Sequence, residues 1–217
     1  MKIPRIHTTR SAFTLLELLV VISIIAVLAS LSFPAITGVM VNARKAQARN
    51  DMSQIASAIK LYYTEYGKYP AGAATSGTTD TVFGTTTSDN KNIINILRYN
   101  GPTGQQPDPN NENPRQIKFI EPKVTDMKKA CVNKANGNWY DPWGTQYLIF
   151  IDADYANDID VTAAFSDASM NSTNKPQVSV GVASVGYYYV KNKTKPMPSV
   201  MPAARAYNSS TDLLSWQ

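Results

Sequence analysis

The sequence predicts an α+β protein, one long N-terminal helix ahead of a small head that carries β-strands. Three observations predict it. Residues 13–33, FTLLELLVVISIIAVLASLSF, form an apolar run with a single charge, Glu17. Apolar residues Met52, Ile55, Ile59, Tyr62 and Tyr66 then recur at 3-4-3-4 spacing, which is one face of an amphipathic helix. Further along, Tyr147-Leu148-Ile149-Phe150-Ile151 reads as a strand, and Val178, Val180 and Val182 alternate with small residues as a half-buried strand does.

The 217 residues suffice for one modest core plus one dedicated segment. Charged residues are 17% and hydrophobic ones 43%, which excludes a largely disordered chain. One cysteine, Cys131, excludes an internal disulfide framework and a Cys-rich zinc module. The single histidine, His7, leaves no Ser/His/Asp triad to build, and no phosphate loop or nucleotide fingerprint occurs, so no enzyme is expected. The net charge is +5, yet Lys2, Arg5 and Arg10 sit in residues 1–12, where there is no acid, and the remainder is close to neutral. No broad basic surface follows, and no nucleic-acid partner is expected.

At 1.5 Å per residue the run over 13–33 makes a helix of roughly 31 Å, the hydrocarbon thickness of a bilayer. Two readings stay open from these residues. One is a membrane anchor. The other is a secretory signal, cut after Val27-Leu28-Ala29 to release a soluble protein that begins at Ser30, although signal cores are usually shorter and carry no acid. Glu17 is the anomaly, since an acid inside a membrane helix costs about 2.5–3.5 kcal/mol on insertion scales. It either snorkels to the headgroups or has a partner, and no Lys or Arg lies within the run. Pro34 is the first hard break in helix propensity. Beyond it the amphipathic stripe continues the helix, bent near Pro34 and Gly38, as far as Gly67 and Pro70.

Residues 71–90 are rich in Gly, Ala, Ser and Thr and read as a surface loop. A short helix over 92–99 would pack Ile93, Ile96 and Leu97. Residues 100–115 hold four prolines and read as an exposed loop, and 191–208 as a Pro-rich inserted loop. Asp141-Pro142-Trp143-Gly144 is a tight turn leading into the strand at 147–151, with Asp141 capping it and Trp143 buried. Asp152, Asp154, Asp158 and Asp160 have partial calcium-loop spacing without the Gly and distal Glu of an EF-hand. A turn at a strand end is the competing reading.

Arg10-Ser11-Ala12-Phe13-Thr14-Leu15-Leu16-Glu17-Leu18 resembles the leader signal of type IV pilins and of the pseudopilins of type II secretion. The resemblance implies that a prepilin peptidase cuts between Ala12 and Phe13, where the family usually has Gly before the cut. It also implies that Phe13 is then N-methylated. It implies that Glu17 of one subunit pairs with the Phe13 amine of a neighbour during assembly, and it matches Pro34 to a common family proline. Tyr66-Gly67-Lys68-Tyr69-Pro70 resembles the exit from the pseudopilin helix. Asp141, Pro142, Trp143, Gly144 and Tyr147, together with the ending Asp212-Leu213-Leu214-Ser215-Trp216, resemble the major pseudopilin in particular.

That resemblance implies a pilin-like fold, with an antiparallel sheet folded onto the helix. Its parts are a leader (1–12), a transmembrane and assembly helix (13–33), an amphipathic extension (34–70) and a periplasmic head (71–217). It implies a single-pass inner-membrane protein that polymerises through its helices with other pseudopilins on a secretion platform. The alternative within the same resemblance is a type IV or DNA-uptake pilin. Major pseudopilins commonly bind calcium before the terminal strand. Asp212 matches one such position, whereas the acid expected after Ser184-Val185-Gly186 is replaced by tyrosines at 187–189.

Overall fold

Helix α1 (Leu15–Tyr66) is the first described element, and its residues from Ala48 onward supply one wall of the head's core. The computed structural model describes residues 14–70, 79–100, 111–162, 164–165, 175–193, 198, 201, 207–209 and 211–216, with backbone alone at 31–36. The chain forms two units, 1–43 and 44–217. In the second unit Met52, Ile55, Ile59 and Tyr62 are buried and Tyr66 is half-buried, as their spacing predicts. The helix is continuous through Pro34, so the expected break does not divide the element. Proline removes one backbone donor at a cost of roughly 3 kcal/mol, and the apolar sequence on both sides still favours helix.

Among the described residues the head holds two sheets. The larger has four antiparallel strands in the order β1-β5-β6-β7. They are β1 (Thr81–Phe83), β5 (Leu148–Ile151), β6 (Val180–Ser184) and β7 (Leu213–Leu214). The smaller joins β2 (Val124–Thr125), β3 (Cys131–Asn133) and β4 (Trp139–Tyr140), with β2 parallel and β4 antiparallel to β3. Helix α2 (Lys91–Arg98) buries Ile93, Ile96 and Leu97 as expected, and Ile94 as well.

Strand β6 is buried at all five positions, where the alternation predicts a half-buried strand. The period-2 rule accounts for both faces. Ile149, Ile151, Val180, Val182 and Leu213 pack against α1 and α2, while Leu148, Phe150, Ala183 and Leu214 pack against Ile159, Val161, Phe165 and Met201. Gly181 is small for this reason, since a Cβ there would stand 2.5 Å from both Ile159 and Trp216.

Two loop expectations need correction, and the stretch at 191–208 makes a buried contact. Within the stretch at 71–90, Thr81-Val82-Phe83 forms edge strand β1 on β5, because Phe83 is apolar enough to bury fully. Asn113 in the stretch at 100–115 is buried, its side-chain amide donating to the carbonyls of Ile96 and Ile117. In the stretch at 191–208, Met201 is buried and bridges to Thr85. The tyrosines at 187–189 leave the sheet as helix α3 (Gly186–Lys191).

Candidate functional site

The N-terminal part of α1 presents its apolar side chains without a cover. Leu15, Leu16, Leu18, Leu19, Val20, Val21, Ile22, Ile24, Ile25, Val27 and Leu28 are all exposed, from 45% to 89%. A helix apolar on every side is at home inside a protein assembly or a bilayer, not in water. Its polar side chains turn inward on its own backbone. The Ser23 hydroxyl donates to the Val20 carbonyl at 2.7 Å and the Ser30 hydroxyl to the Val27 carbonyl at 2.8 Å. Hydroxyls satisfied in this way need no water, so they do not weaken the apolar character of the surface.

Glu17 has a local partner, Thr14. Its Oε2 accepts from the Thr14 backbone N–H and from the Thr14 hydroxyl, each at 2.8 Å, and the Glu17 N–H donates to the Thr14 hydroxyl oxygen at 3.2 Å. This is a reciprocal capping box, which satisfies donors that the first helical turn would otherwise leave open. Its signature, Thr-x-x-Glu before an apolar run, stands in the sequence. Ala12 and Phe13 lie outside the described residues, and so does the side chain of Pro34. Among the described residues no helix is long and apolar enough to cross a membrane. The expected span over 13–33 includes Phe13 and side chains at 31–33 that are not described.

In the second unit, α1 is held by polar links built on the turn at 141–147. Asp141 is fully buried. Its Oδ1 accepts from the backbone N–H groups of Trp143, Gly144 and Thr145 at 2.8–3.0 Å. Its Oδ2 accepts from the Ser184 hydroxyl at 2.7 Å and the Gly186 N–H at 3.0 Å. The two motifs read separately in the sequence, the Asp-Pro-Trp-Gly turn and Ser184-Val185-Gly186, are therefore one structure around one carboxyl. A Cβ at Gly186 would collide with that carboxyl, and Gly144 sits at φ +104°, a conformation that glycine adopts freely. Burial pushes the Asp141 carboxyl above the usual range, and the hydrogen bonds pull it back.

Tyr147 then reaches the helix. Its hydroxyl donates to Asp51 Oδ2 at 2.9 Å. Burial raises the Asp51 carboxyl above its ordinary range, the Tyr147 hydrogen bond opposes this, and the charge of Asp141 adds to the rise. Lys45 lies 4.4 Å from the ring centre of Tyr187, which packs against Trp143 at 5.4 Å. Trp143 and Tyr147 thus serve as packing and positioning groups between the turn and α1.

Asp152 and Asp154 come together with Asp80, a residue the sequence spacing did not include, with one carboxylate oxygen of each within 4.8 Å of the others. Asp158 instead pairs with Lys175 at 2.8 Å. Asp152 caps a turn after β5, accepting from the Ala156 and Asn157 N–H groups. Asp212 Oδ2 accepts from the Asn208 N–H at 2.8 Å. Among the described residues Asp212 joins no group of three or more His, Cys, Asp or Glu side chains close enough to share an ion.

The family described as the prokaryotic N-terminal methylation motif matches residues 8–33. Fimbrial protein EcpC of Eikenella corrodens is 35% identical over 75 residues, covering 35% of this chain and 49% of that protein. The chain thus spans about half the length of this relative. No solved structure matches the chain. The methylation motif, the fimbrial relative and a long helix followed by an antiparallel sheet support a type IV pilin-like family for this chain.

Proposed function

We propose that the protein is the structural subunit of a type II secretion pseudopilus. It is held by its N-terminal helix in the inner membrane with its head in the periplasm, and it polymerises to drive protein export. The observation that carries this reading is the exposed apolar surface over 15–28, beside a matched methylation motif. A prepilin peptidase removes residues 1–12, and the new Phe13 amine is methylated. Lipid covers the helix until copies replace it. Lipid tails are as apolar as leucine, so packing and polar pairing favour association, with no large new hydrophobic gain. In this account Glu17 exchanges its Thr14 hydrogen bonds for the Phe13 amine of a neighbour, which makes an incoming subunit most stable in one register. Other pseudopilins and an inner-membrane platform are the further partners. The turn at 141–144 with Tyr147, and the ending 212–216, favour the secretion subtype.

The fimbrial relative favours a second reading, a type IV or DNA-uptake pilin in a surface fibre. The two readings share the leader and the helix and differ in the export machinery. Glu17→Ala tests what they share: the variant inserts and is processed but yields few filaments. Normal filaments from it contradict the pairing. Loss of protein secretion on deletion of the chain, with surface fibres intact, separates the secretion reading from the pilin reading.

A further inference from the structure

The two edges of the large sheet carry opposite charge. At the β7 edge, a groove of about 300 Å³ lies between α1 and the end of the chain, lined by Arg49, Ser53, Ser57, Lys60, Leu214 and Ser215. Arg49 and Lys60 are exposed and form no ion pair among the described residues. At the β1 edge, Asp80 directly precedes β1 and Asp152 directly follows β5, its pairing partner. Asp154 is exposed beside them, and a buried oxygen of Asp80, Oδ1, has no hydrogen-bond partner. Asp158 and Asp160 add to this charge, against which Lys175 is paired with Asp158.

Next to the acids stands an aromatic platform. Tyr63 stacks on Tyr69 at 4.6 Å, and Tyr69 stacks on Tyr155 at 5.7 Å, leaving Tyr155 55% exposed. Carboxylates beside open aromatic faces suit a guanidinium, which takes both ion pairing and stacking. The mutual repulsion of the acids works in the same direction, since Asp80 and Asp152 are raised chiefly by burial and further by neighbouring carboxylates.

Resting on the filament reading above, we propose that heads of successive copies dock edge to edge, the turn at 152–155 of one copy seating in the groove between Arg49 and Lys60 of the next, with Asp154 and Tyr155 meeting Arg49. The occupant is a second copy of this chain because one molecule supplies both complementary surfaces, and supplies them on opposite sides of one sheet. Patches on opposite edges cannot satisfy each other in a two-fold dimer. They make a head-to-tail contact that leaves one edge open at each end, the geometry of an open polymer.

The test uses the full-length, processed protein in cells, with sheared filaments quantified. Arg49→Glu and Asp154→Lys each reduce filaments by about tenfold, and the double variant, in which the charges are exchanged, recovers to within about threefold of the wild type. Both positions are exposed, so head melting temperature stays at the wild-type value in all three. Carbodiimide treatment of filaments built from differently labelled Arg49→Lys copies, which keep the charge and supply an amine, joins position 49 of one label to Asp154 of the other. Wild-type filament yield from both single variants, or Arg49→Lys filaments without that inter-copy link, overturns the docking and leaves the filament reading intact. A wild-type chain that forms no filaments overturns that reading and the docking together.

Discussion

One helix carries two different surfaces, and under the proposed function the difference separates what folds the head from what joins the copies. Over 15–28, apolar side chains point in every direction and all of them are exposed. Between Ala48 and Tyr62, apolar residues occupy one stripe, and Ala48, Met52, Ile55, Ala58, Ile59 and Tyr62 are at most 1% exposed. A stripe is the pattern of a helix with one partner, here the sheet of its own head. An all-round apolar surface is the pattern of a helix surrounded on every side. Under the proposed function the first region contributes to assembly and the second to folding.

The sharpest way to break this comparison is to truncate the same residue type in both regions. Ile59→Ala lowers head stability by about 2–5 kcal/mol through lost burial and a cavity, whereas Ile25→Ala leaves it within about 0.5 kcal/mol. Denaturant unfolding followed by tryptophan fluorescence measures both, and equal losses would contradict the division. A smaller effect is expected from Tyr147→Phe. It removes the hydroxyl bonded to buried Asp51 and costs about 1–3 kcal/mol in the same assay.

The Asp51 carboxyl also predicts a pH dependence of stability. Its folded-state pKa is raised, so the native state binds more protons than the unfolded chain between the ordinary carboxylate value, about 3.9, and the raised one. Stability from this group is retained below that window and lost as pH rises through it. Asp51→Asn removes this part of the slope, and a variant with the wild-type slope would show that Asp51 is not the origin. The smallest effect belongs to the first region: Thr14→Ala breaks the capping box, at about 1 kcal/mol, and speeds amide exchange in the first turn while the head is unchanged.

Much of the site was legible because its signals are local. The stripe over 52–66, helix α2 and the turn at 141–144 each follow from periodicity or turn chemistry within a few residues. The capping box is local in the same sense, as Thr14 and Glu17 stand at N-cap spacing, although its partner for Glu17 is a neutral residue and not a cation. Strand β1 was not legible, since three residues in a Ser/Thr-rich stretch gain their strand identity only by pairing with β5. Nor was the grouping of Asp80 with Asp152 and Asp154, which depends on that same long-range pairing. The tyrosines at 187–189 continue a strand-like pattern, yet they turn into α3 where the Gly186 N–H meets the Asp141 carboxyl.

The intact mass of the mature chain isolated from its membrane tests the central claim most directly. The account predicts a chain that begins at Phe13 and carries one added methyl group at its amine. A chain that begins at Ser30, or that retains residues 1–12 in the assembled form, contradicts it.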